Sequence, residues 1–268
     1  MNDRERKLEL VEIAAWTDMF RAANDLNPIP GGVKAIVDDS RVVSMVPDCD
    51  VLALNRVVGL GVDSPPTPEE LAEIIDHYRE AGAARFFVQV APFVINSEIT
   101  RLLHEAGFEH YNNWVKLSRP LEPLEIEGCD LRVEKIGPEH AEAFAGIICS
   151  SFDWPSFLEA WVGGIVGREN WHCYLAFDGD HPAATAAFFR AGDSIWIDCA
   201  ATLEAYRGRG AQSKLLQRRF EDALALGCTD VVVETAQQRA DHDAPSYRNM
   251  IRYGFREAYT RPNFIYRF

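Results

Sequence analysis

The spacing of hydrophobic and polar positions predicts alternating helices and strands in the first half of the chain. Apolar residues near helical spacing predict a helix over residues 8–25, and short apolar runs predict strands at residues 42–46, 51–58, 86–90 and 114–117. Two further helices are predicted at residues 67–81 and 97–106. The first of these has a strong start, because Thr67 is followed by Pro68 and two glutamates, and Gly82 is its expected end.

The second half of the chain shows a similar alternation. Apolar runs predict strands at residues 130–136, 171–177, 183–190, 194–200, 230–234 and 263–268. Helices are predicted at residues 138–149, 156–165, 211–226 and 245–253. Tight turns at residues 178–180 and 192–193 indicate an antiparallel meander. Residues 119–128, with two prolines and three glutamates, are typical of a linker.

The two halves repeat one order of elements. A strand, a helix, a glycine, an apolar strand, a helix, a Gly-Phe pair and a strand occur in each, with the Gly-Phe pairs at residues 107–108 and 254–255. We therefore predict two tandem domains of the α/β (α+β) class at residues 1–120 and 130–268, with a linker at residues 121–129.

A turn rich in arginine and glycine precedes the helix predicted at residues 211–226. Its sequence is Arg207-Gly208-Arg209-Gly210-Ala211. Glycine lets an oxygen-rich ligand approach the backbone, and a helix N-terminus attracts anions through its free N–H groups and its dipole. The arginines add positive charge in a chain of formal net charge −14. The turn predicts a site for a phosphorylated ligand, and a solvated surface turn is the alternative interpretation.

This turn resembles the acyl-CoA pyrophosphate loop of the GNAT acetyltransferase superfamily, whose pattern is Arg/Gln-x-x-Gly-x-Gly/Ala. Arg207 and Gly210 take the first two defined positions, and Gln212 stands where the family has a small residue. The resemblance covers roughly residues 131–268 and implies mixed, mostly antiparallel sheets flanked by helices in both halves. It also implies acetyl-CoA as co-substrate, bound by the loop and by the strand before it. The residues implied in this binding are Ala200, Ala201, Thr202, Arg207, Gly208, Arg209, Gly210, Ala211, Gln212, Ser213 and Asn249. For Asn249, a local capping role is the alternative.

The first half lacks these loop features at the equivalent place. Residues 57–66 read Val-Val-Gly-Leu-Gly-Val-Asp-Ser-Pro-Pro and have no arginine after Arg56. Asp63 adds negative charge there, and the two prolines lack N–H donors. We predict that this half does not bind CoA in this way and is a degenerate copy packed against the active one.

Two carboxylates are candidates for the general base that direct acyl transfer to an amine requires. Alternation along the strand at residues 194–200 places Asp198 on a mixed face with Ser194 and Trp196, opposite an apolar face. Glu234, at the end of the strand at residues 230–234, is the rival. For each residue, the alternative is a structural role as a hydrogen-bonded carboxylate. A further alternative is that a water relay removes the proton and neither residue is the base.

The general acid is less clearly marked in the sequence. The family often has a tyrosine five residues before the Phe of the Gly-Phe pair, and Met250 stands at that position. Tyr247 is the candidate replacement, with packing or acceptor contact as the alternative role. Solvent is a further proton source, because a thiol near its ordinary pKa of about 8.5 leaves without strong acid help.

Aromatic residues cluster at residues 152–161, on the helices that cover the acceptor site in the family that this chain resembles. One interpretation is ordinary core, because aromatic residues at helical spacing are usually buried. The other is an acceptor pocket lined by rings, in which a carboxylate attracts a cationic amine. The residues assigned to acceptor binding are Phe152, Asp153, Trp154 and Trp196.

Composition restricts the classes of partner and the compartment. The excess of acidic residues, 41 against 27 basic ones, argues against nucleic acid or an anionic membrane as the main partner. No apolar run approaches the length of a membrane helix, and no signal-peptide pattern is present at the N-terminus. The six cysteines lack C-x-x-C spacing, so we expect buried thiols in a reducing cytoplasm, without disulfides or a metal site.

The sequence therefore predicts an acetyl-CoA-dependent N-acetyltransferase that moves the acetyl group directly to a primary amine of a small molecule. A CoA-binding sensor without chemistry is the first alternative, which Met250 and the degenerate first half favour. An enzyme that acetylates a protein N-terminus or lysine is the second. A monomer or a homodimer is expected in each case.

Overall fold

The computed structural model describes residues 3–27, 29–38 and 40–268, and its contacts divide the chain into two compact units. Unit 1 comprises residues 1–20, 31–119 and 232–268, and unit 2 comprises residues 21–30 and 120–231. Residues 232–268 thus group with the first half of the chain, whereas the sequence pattern assigns them to the domain at residues 130–268.

The part of the first half that the structure describes contains three α-helices and five strands. They are α1 (Asp3–Arg21), β1 (Lys34–Val37), β2 (Val42–Met45), β3 (Arg56–Leu60), α2 (Pro68–Ala81), β4 (Arg85–Val90), α3 (Ser97–Glu105) and β5 (Glu109–Pro120). The predicted start and end of α2 are confirmed. The Thr67 side chain accepts a hydrogen bond from the Glu70 N–H at 3.2 Å, and Gly82 follows the helix with φ of 80°.

The predicted strand at residues 51–58 is wrong over its first part. Residues 51–55 form a turn, and β3 begins at Arg56. The side chain of Asn55 explains the turn, because it accepts the Val46 N–H and donates to the Cys49 carbonyl, each at 2.8 Å. An apolar run has the same appearance in a strand and in a buried turn of this kind.

The elements of unit 2 follow the linker. They are β6 (Arg132–Lys135), α4 (Ala141–Ser151), α5 (Glu159–Gly163), β7 (Trp171–Asp178), β8 (His181–Ala191), β9 (Ser194–Thr202) and α6 (Ala211–Ala225). The strands are ordered β9-β8-β7-β6 and each neighbouring pair is antiparallel, which confirms the predicted meander. Helices α4 and α6 both pack on β8 and β9.

Three further elements complete the chain: β10 (Asp230–Ala236), α7 (Pro245–Arg252) and β11 (Arg256–Arg267). The strand order in unit 1 is β1-β2-β3-β4-β11-β5-β10. Strand β3 runs parallel to β4, whereas β11 is antiparallel to both β4 and β5. The insertion of β11 between β4 and β5 explains why the C-terminal residues belong to unit 1.

The sheet of unit 1 has one apolar face and one face with buried charge. Successive side chains of a strand point to opposite faces. On β4, Phe86, Val88 and Val90 join an apolar cluster with residues of α2 and α3. Gln89 and its neighbours on the other face contact charged side chains, including those of α1.

The recurring order of elements predicted from the sequence is present. Helix α2, Gly82, β4, α3, Gly107 and β5 have the same order as α6, Gly227, β10, α7, Gly254 and β11. All four glycines have positive φ, between 77° and 94°. Non-glycine residues rarely adopt such φ values, so these positions require glycine.

Candidate functional site

The loop at residues 207–210 leads directly into α6. Gly208 and Gly210 have φ of 83° and 79°, so both adopt a conformation that side chains disfavour. Gly210 is the N-cap residue and has no side chain to accept a hydrogen bond, and the first helical bond joins the Lys214 N–H to the Gly210 carbonyl at 3.1 Å. The backbone N–H groups of residues 211–213 precede that bond. The start of α6 therefore has the geometry that favours an anion.

The two loop arginines have different environments. Arg209 forms bidentate hydrogen bonds with both Asp130, at 2.6 and 3.2 Å, and Asp178, at 2.9 and 3.1 Å. Hydrogen bonds from Arg209 hold the pKa of each carboxyl below its ordinary value. Arg207 is more exposed and donates from Nε to the Thr202 carbonyl at 3.3 Å. The charge of Arg209 is thus balanced locally, and Arg207 supplies exposed positive charge at the loop.

Gln212, the departure from the family pattern, is directed towards the sheet. Its carboxamide donates to the carbonyls of Ala201 at 2.8 Å and Thr185 at 3.1 Å, and to the Thr202 hydroxyl at 3.0 Å. The side chain therefore ties the first turn of α6 to β8 and β9.

A β-bulge lies in β9 beside Asp198. Ala187 pairs with Asp198 and Thr185 pairs with Ala201, so Cys199 and Ala200 together face one residue of β8. Cys199 has φ of 54°. Its carbonyl accepts a hydrogen bond from the Thr185 hydroxyl at 2.7 Å. The bulge includes Ala200, the first of the three residues that the sequence assigns to the acyl arm.

Asp198 stabilises this bulge through both carboxylate oxygens. One accepts the Cys199 N–H at 2.7 Å, and the other accepts the indole N–H of Trp196 at 3.1 Å. The Asp198 side chain is partly exposed, whereas Trp196 is 3% exposed. Trp196, which the sequence assigns to the acceptor, is therefore a buried support of Asp198 in unit 2.

Three other predicted site residues belong to unit 1: the candidate catalytic residues Tyr247 and Glu234, and Asn249, which was predicted to bind the cofactor. The Tyr247 hydroxyl donates to the Glu257 carboxylate, and this bond raises the pKa of Tyr247. The Asn249 side chain accepts from Arg252 at 3.2 Å. Glu234 lies on β10 and is almost completely buried. The predicted site residues are thus divided, with the loop and Asp198 in unit 2 and these three in unit 1.

Glu234 belongs to a buried charge cluster that the sequence analysis did not identify. The cluster comprises Glu9, Glu12, Arg56, Lys116, Glu234 and Arg261, three acids and three bases. The Glu234 carboxylate contacts Arg261, Arg56 at 3.4 Å and Lys116 at 3.6 Å. Polar residues two positions apart, Lys116 and Ser118 in β5 and Arg261 and Asn263 in β11, are the sequence signal, but this spacing equally describes a solvated sheet face.

Glu12 shows how the cluster compensates for burial. Burial raises the pKa of its carboxyl, but attraction to Arg261, Lys116 and Arg56 outweighs burial and lowers the pKa to about 2. The guanidinium of Arg56 also lies over the rings of Trp16 and Trp114, at 4.2 and 5.1 Å from their centroids. The cluster is therefore a set of mutually dependent ion pairs beneath α1.

The aromatic cluster assigned to the acceptor site divides into core and surface residues. Trp161 is completely buried, as the core interpretation expects. Phe152 is 51% exposed, and its ring centroid lies 5.7 Å from that of Trp154. Asp153, which lies between these two residues in the sequence, is exposed and has φ of 55°. Residues 152–154 thus combine aromatic side chains with an exposed aspartate directly after α4.

The loop at residues 57–66, which is the first-half equivalent of the loop at residues 207–210, is in close contact with other residues of unit 1. A Cβ at Gly59 would lie 2.1 Å from the Ser40 carbonyl and 2.6 Å from the Ile13 side chain. Asp63 in this loop forms an ion pair with Arg6 of α1 at 2.7 Å. Helix α1 therefore packs against this loop.

No group of metal-ligating side chains is found in residues 3–27, 29–38 and 40–268. Across the same described residues, no helix is long and apolar enough to cross a membrane. The six cysteines, all within the described residues, are not joined in disulfides, and five of them are buried. Burial raises the pKa of Cys173 and of Cys199.

Comparison with known proteins relates the chain to acetyltransferases. Residues 139–255 match the model of the acetyltransferase (GNAT) family. A GCN5-related N-acetyltransferase from Kribbella flavida is similar with a TM-score of 0.57 and 19% identity, over 94% of this chain and 93% of that one. Another, from Sphaerobacter thermophilus, has a TM-score of 0.59 and 16% identity, over 86% of this chain and 82% of that one. These similarities establish the fold. No curated protein matches the sequence.

Proposed function

Because the chain contains a GNAT acetyltransferase domain at residues 139–255, we propose that the protein is an acetyltransferase. In this proposal, it transfers the acetyl group of acetyl-CoA to a primary amine of a small molecule. The observation that carries this proposal is the loop before α6. It combines two glycines with positive φ, a helix start without a side-chain cap, and the exposed Arg207. These features favour the diphosphate of CoA.

The acyl arm is proposed to lie along residues 200–202, which begin within the β9 bulge. Asp198 is the favoured base because its side chain is partly exposed and stands at the β9 bulge, two residues before Ala200. Glu234 is less suitable, because three cations engage its buried carboxylate. The leaving thiolate takes its proton from solvent, since Tyr247 already donates to Glu257.

The acceptor is proposed to be an amine with an apolar or aromatic body. Phe152 and Trp154 offer ring surface, and the exposed Asp153, which separates them in the sequence, offers an attraction for an ammonium group. The first half of the chain is proposed to be a diverged copy of the same fold, with its loop closed by Ile13 and Arg6.

An amine screen tests the proposal. The protein is incubated with acetyl-CoA and a panel of small primary amines, and free thiol and acetylated product are measured against a control without amine. Turnover with at least one amine, reduced in Arg207→Ala, is expected. Binding of acetyl-CoA without turnover on any small amine or amine-bearing peptide would instead support the alternative of a CoA sensor, which Met250 favours. Turnover on peptides alone would support a protein acetyltransferase.

A further inference from the structure

Arg219 is a buried cation on α6 without a carboxylate partner. It is 2% exposed, and its donors bond to the carbonyls of Leu215 at 3.4 Å and Ala187 at 3.2 Å. Among the residues that the structure describes, no carboxylate oxygen lies within the 4.0 Å ion-pair distance of its guanidinium. Burial of a charge without an ion pair is costly, so Arg219 is not explained by stability alone.

The position of Arg219 relates it to the β9 bulge. Ala187, whose carbonyl it binds, is the residue of β8 that pairs with Asp198. Burial lowers the pKa of Arg219 to about 10, while Tyr174, Asp198 and Cys199 oppose this effect electrostatically. The positive charge is thus within electrostatic reach of Asp198 at the first residue of the bulge.

The hydrogen bonds at the bulge favour an ionised Asp198. Cys199 is a non-glycine residue in the left-handed region, a conformation that costs free energy for a residue with a side chain. The Asp198 carboxylate offsets that cost by accepting the Cys199 N–H and the Trp196 indole N–H. A carboxylate accepts such bonds more strongly than a neutral carboxylic acid, because charge-assisted bonds are about twice as strong.

We propose that Arg219 is a positioning residue that keeps Asp198 ionised and thereby fixes the bulge leading into residues 200–202. Helix α6 begins at the anion-binding loop and carries Arg219 two turns later, so one helix links the loop to the bulge. What the fixed segment binds rests on the proposed function. The relationship between Arg219 and Asp198 is independent of it.

The other titratable groups of unit 2 near this pair do not replace the charge of Arg219. On β7, burial raises the pKa of the Cys173 thiol and the Tyr174 hydroxyl, and on β9 it raises that of Cys199. On α6, Asp222 is engaged by Arg218 and by the Tyr174 hydroxyl. Helix α4, which also packs on β9, contributes the Cys149 thiol and, at its exposed start, Glu142.

The indole N–H of Trp196 reports the ionisation of Asp198, because it donates to that carboxylate. The experiment follows this signal by ¹⁵N–¹H NMR of the full-length protein as a function of pH, with Trp196→Phe to assign it. Arg219→Met removes the charge at similar length, and Arg219→Lys retains it. Arg218→Met is the matched control, since Arg218 is a partly exposed neighbour on the same helix that pairs with Asp222.

Arg219→Met is expected to raise the pH at which the Trp196 signal titrates by about one unit or more, as loss of a nearby opposite charge does. Arg219→Lys and Arg218→Met are expected to stay within a few tenths of a unit of the unmodified protein, on the same basis. An unchanged midpoint in Arg219→Met, with or without a changed melting temperature, would overturn the proposal. If Arg219→Met does not fold, Arg219→Gln takes its place. A shift in Arg219→Lys as large as that caused by removing the charge would also contradict the proposal. Acetyl-CoA binding is not needed for any of these results.

Discussion

Arg261 donates a hydrogen bond to the Glu12 carboxylate at 2.7 Å, joining the last strand of the chain to its first helix. Both side chains are fully buried. Lys116 contacts the same carboxylate oxygen, and Arg56 lies 3.5 Å from the other. Glu12 thus balances charge from three cations on β3, β5 and β11. The fold of unit 1 depends on this balance because a buried cation without its partner is costly.

Glu12→Gln is expected to lower the free energy of unfolding by about 3–5 kcal/mol, because it leaves buried cations without compensation. Urea denaturation followed by circular dichroism measures the change. Glu73→Gln on α2 is the matched control, since the Glu73 carboxylate is exposed and lies 3.6 Å from the His77 ring. It should change stability by less than about 0.5 kcal/mol. Similar small effects of both substitutions would contradict the role assigned to Glu12.

Acid should destabilise the protein through the same residue. The folded pKa of Glu12, about 2, lies below its ordinary value of 4.5. Its contribution is therefore fully present above about pH 4.5 and is lost as the pH falls towards 2, a total of about 3 kcal/mol. The stability of Glu12→Gln should fall less steeply over this interval. If the free energy of unfolding depended on pH in the same way in the unmodified protein and in Glu12→Gln, Glu12 would not titrate as described.

The loop arginines should contribute unequally to acetyl-CoA affinity. Arg207→Ala is expected to weaken binding about tenfold, or 1.4 kcal/mol, because its charge is exposed at the start of α6. Arg209→Ala should weaken it less, since Asp130 and Asp178 already balance that charge. Calorimetric titration of both variants measures the difference, with Arg218→Ala as a control on the same helix. A larger loss of acetyl-CoA affinity in Arg209→Ala than in Arg207→Ala would contradict this prediction.

Tyr247→Phe should have little effect on turnover. The Tyr247 hydroxyl donates to Glu257, and this bond raises its pKa, so the phenol is a poor proton donor to a leaving thiolate. With an amine identified by the screen, kcat is expected to fall less than about threefold, whereas loss of a general acid typically costs about 10²-fold or more. A loss of that size would restore Tyr247 as the acid.

Local signals in the sequence predict much of the secondary structure. Thr67 and Gly82 set the ends of α2, and Gly210 marks the start of α6, because caps and positive φ depend on neighbouring residues alone. The error at residues 51–55 arises from Asn55, whose side chain bonds to backbone six and nine residues away. Such contacts leave no periodic signal.

The parts of the fold that the sequence does not predict depend on contacts between segments that are distant in the chain. The position of β11 between β4 and β5 joins strands that lie far apart in the chain, and hydrophobic spacing gives no information on this pairing. The same holds for the site. The sequence identifies the loop at Arg207 and the candidate Asp198, but the engagement of Arg209 by Asp130 and Asp178 requires the folded chain. In sequence, Glu234 resembles a general base at the end of a strand, and its ion pairs with Arg261 and Lys116 appear only in the fold.

The central claim is that the loop before α6 binds acetyl-CoA, and calorimetric titration with acetyl-CoA tests it most directly. The unmodified protein is compared with the Arg207→Ala/Arg209→Ala double variant, after circular dichroism has shown that both are folded. We predict micromolar binding by the unmodified protein and a loss of about tenfold or more, roughly 1.4 kcal/mol, in the variant. Undetectable binding in both proteins, or equal affinity, would contradict the assignment of this loop to acetyl-CoA.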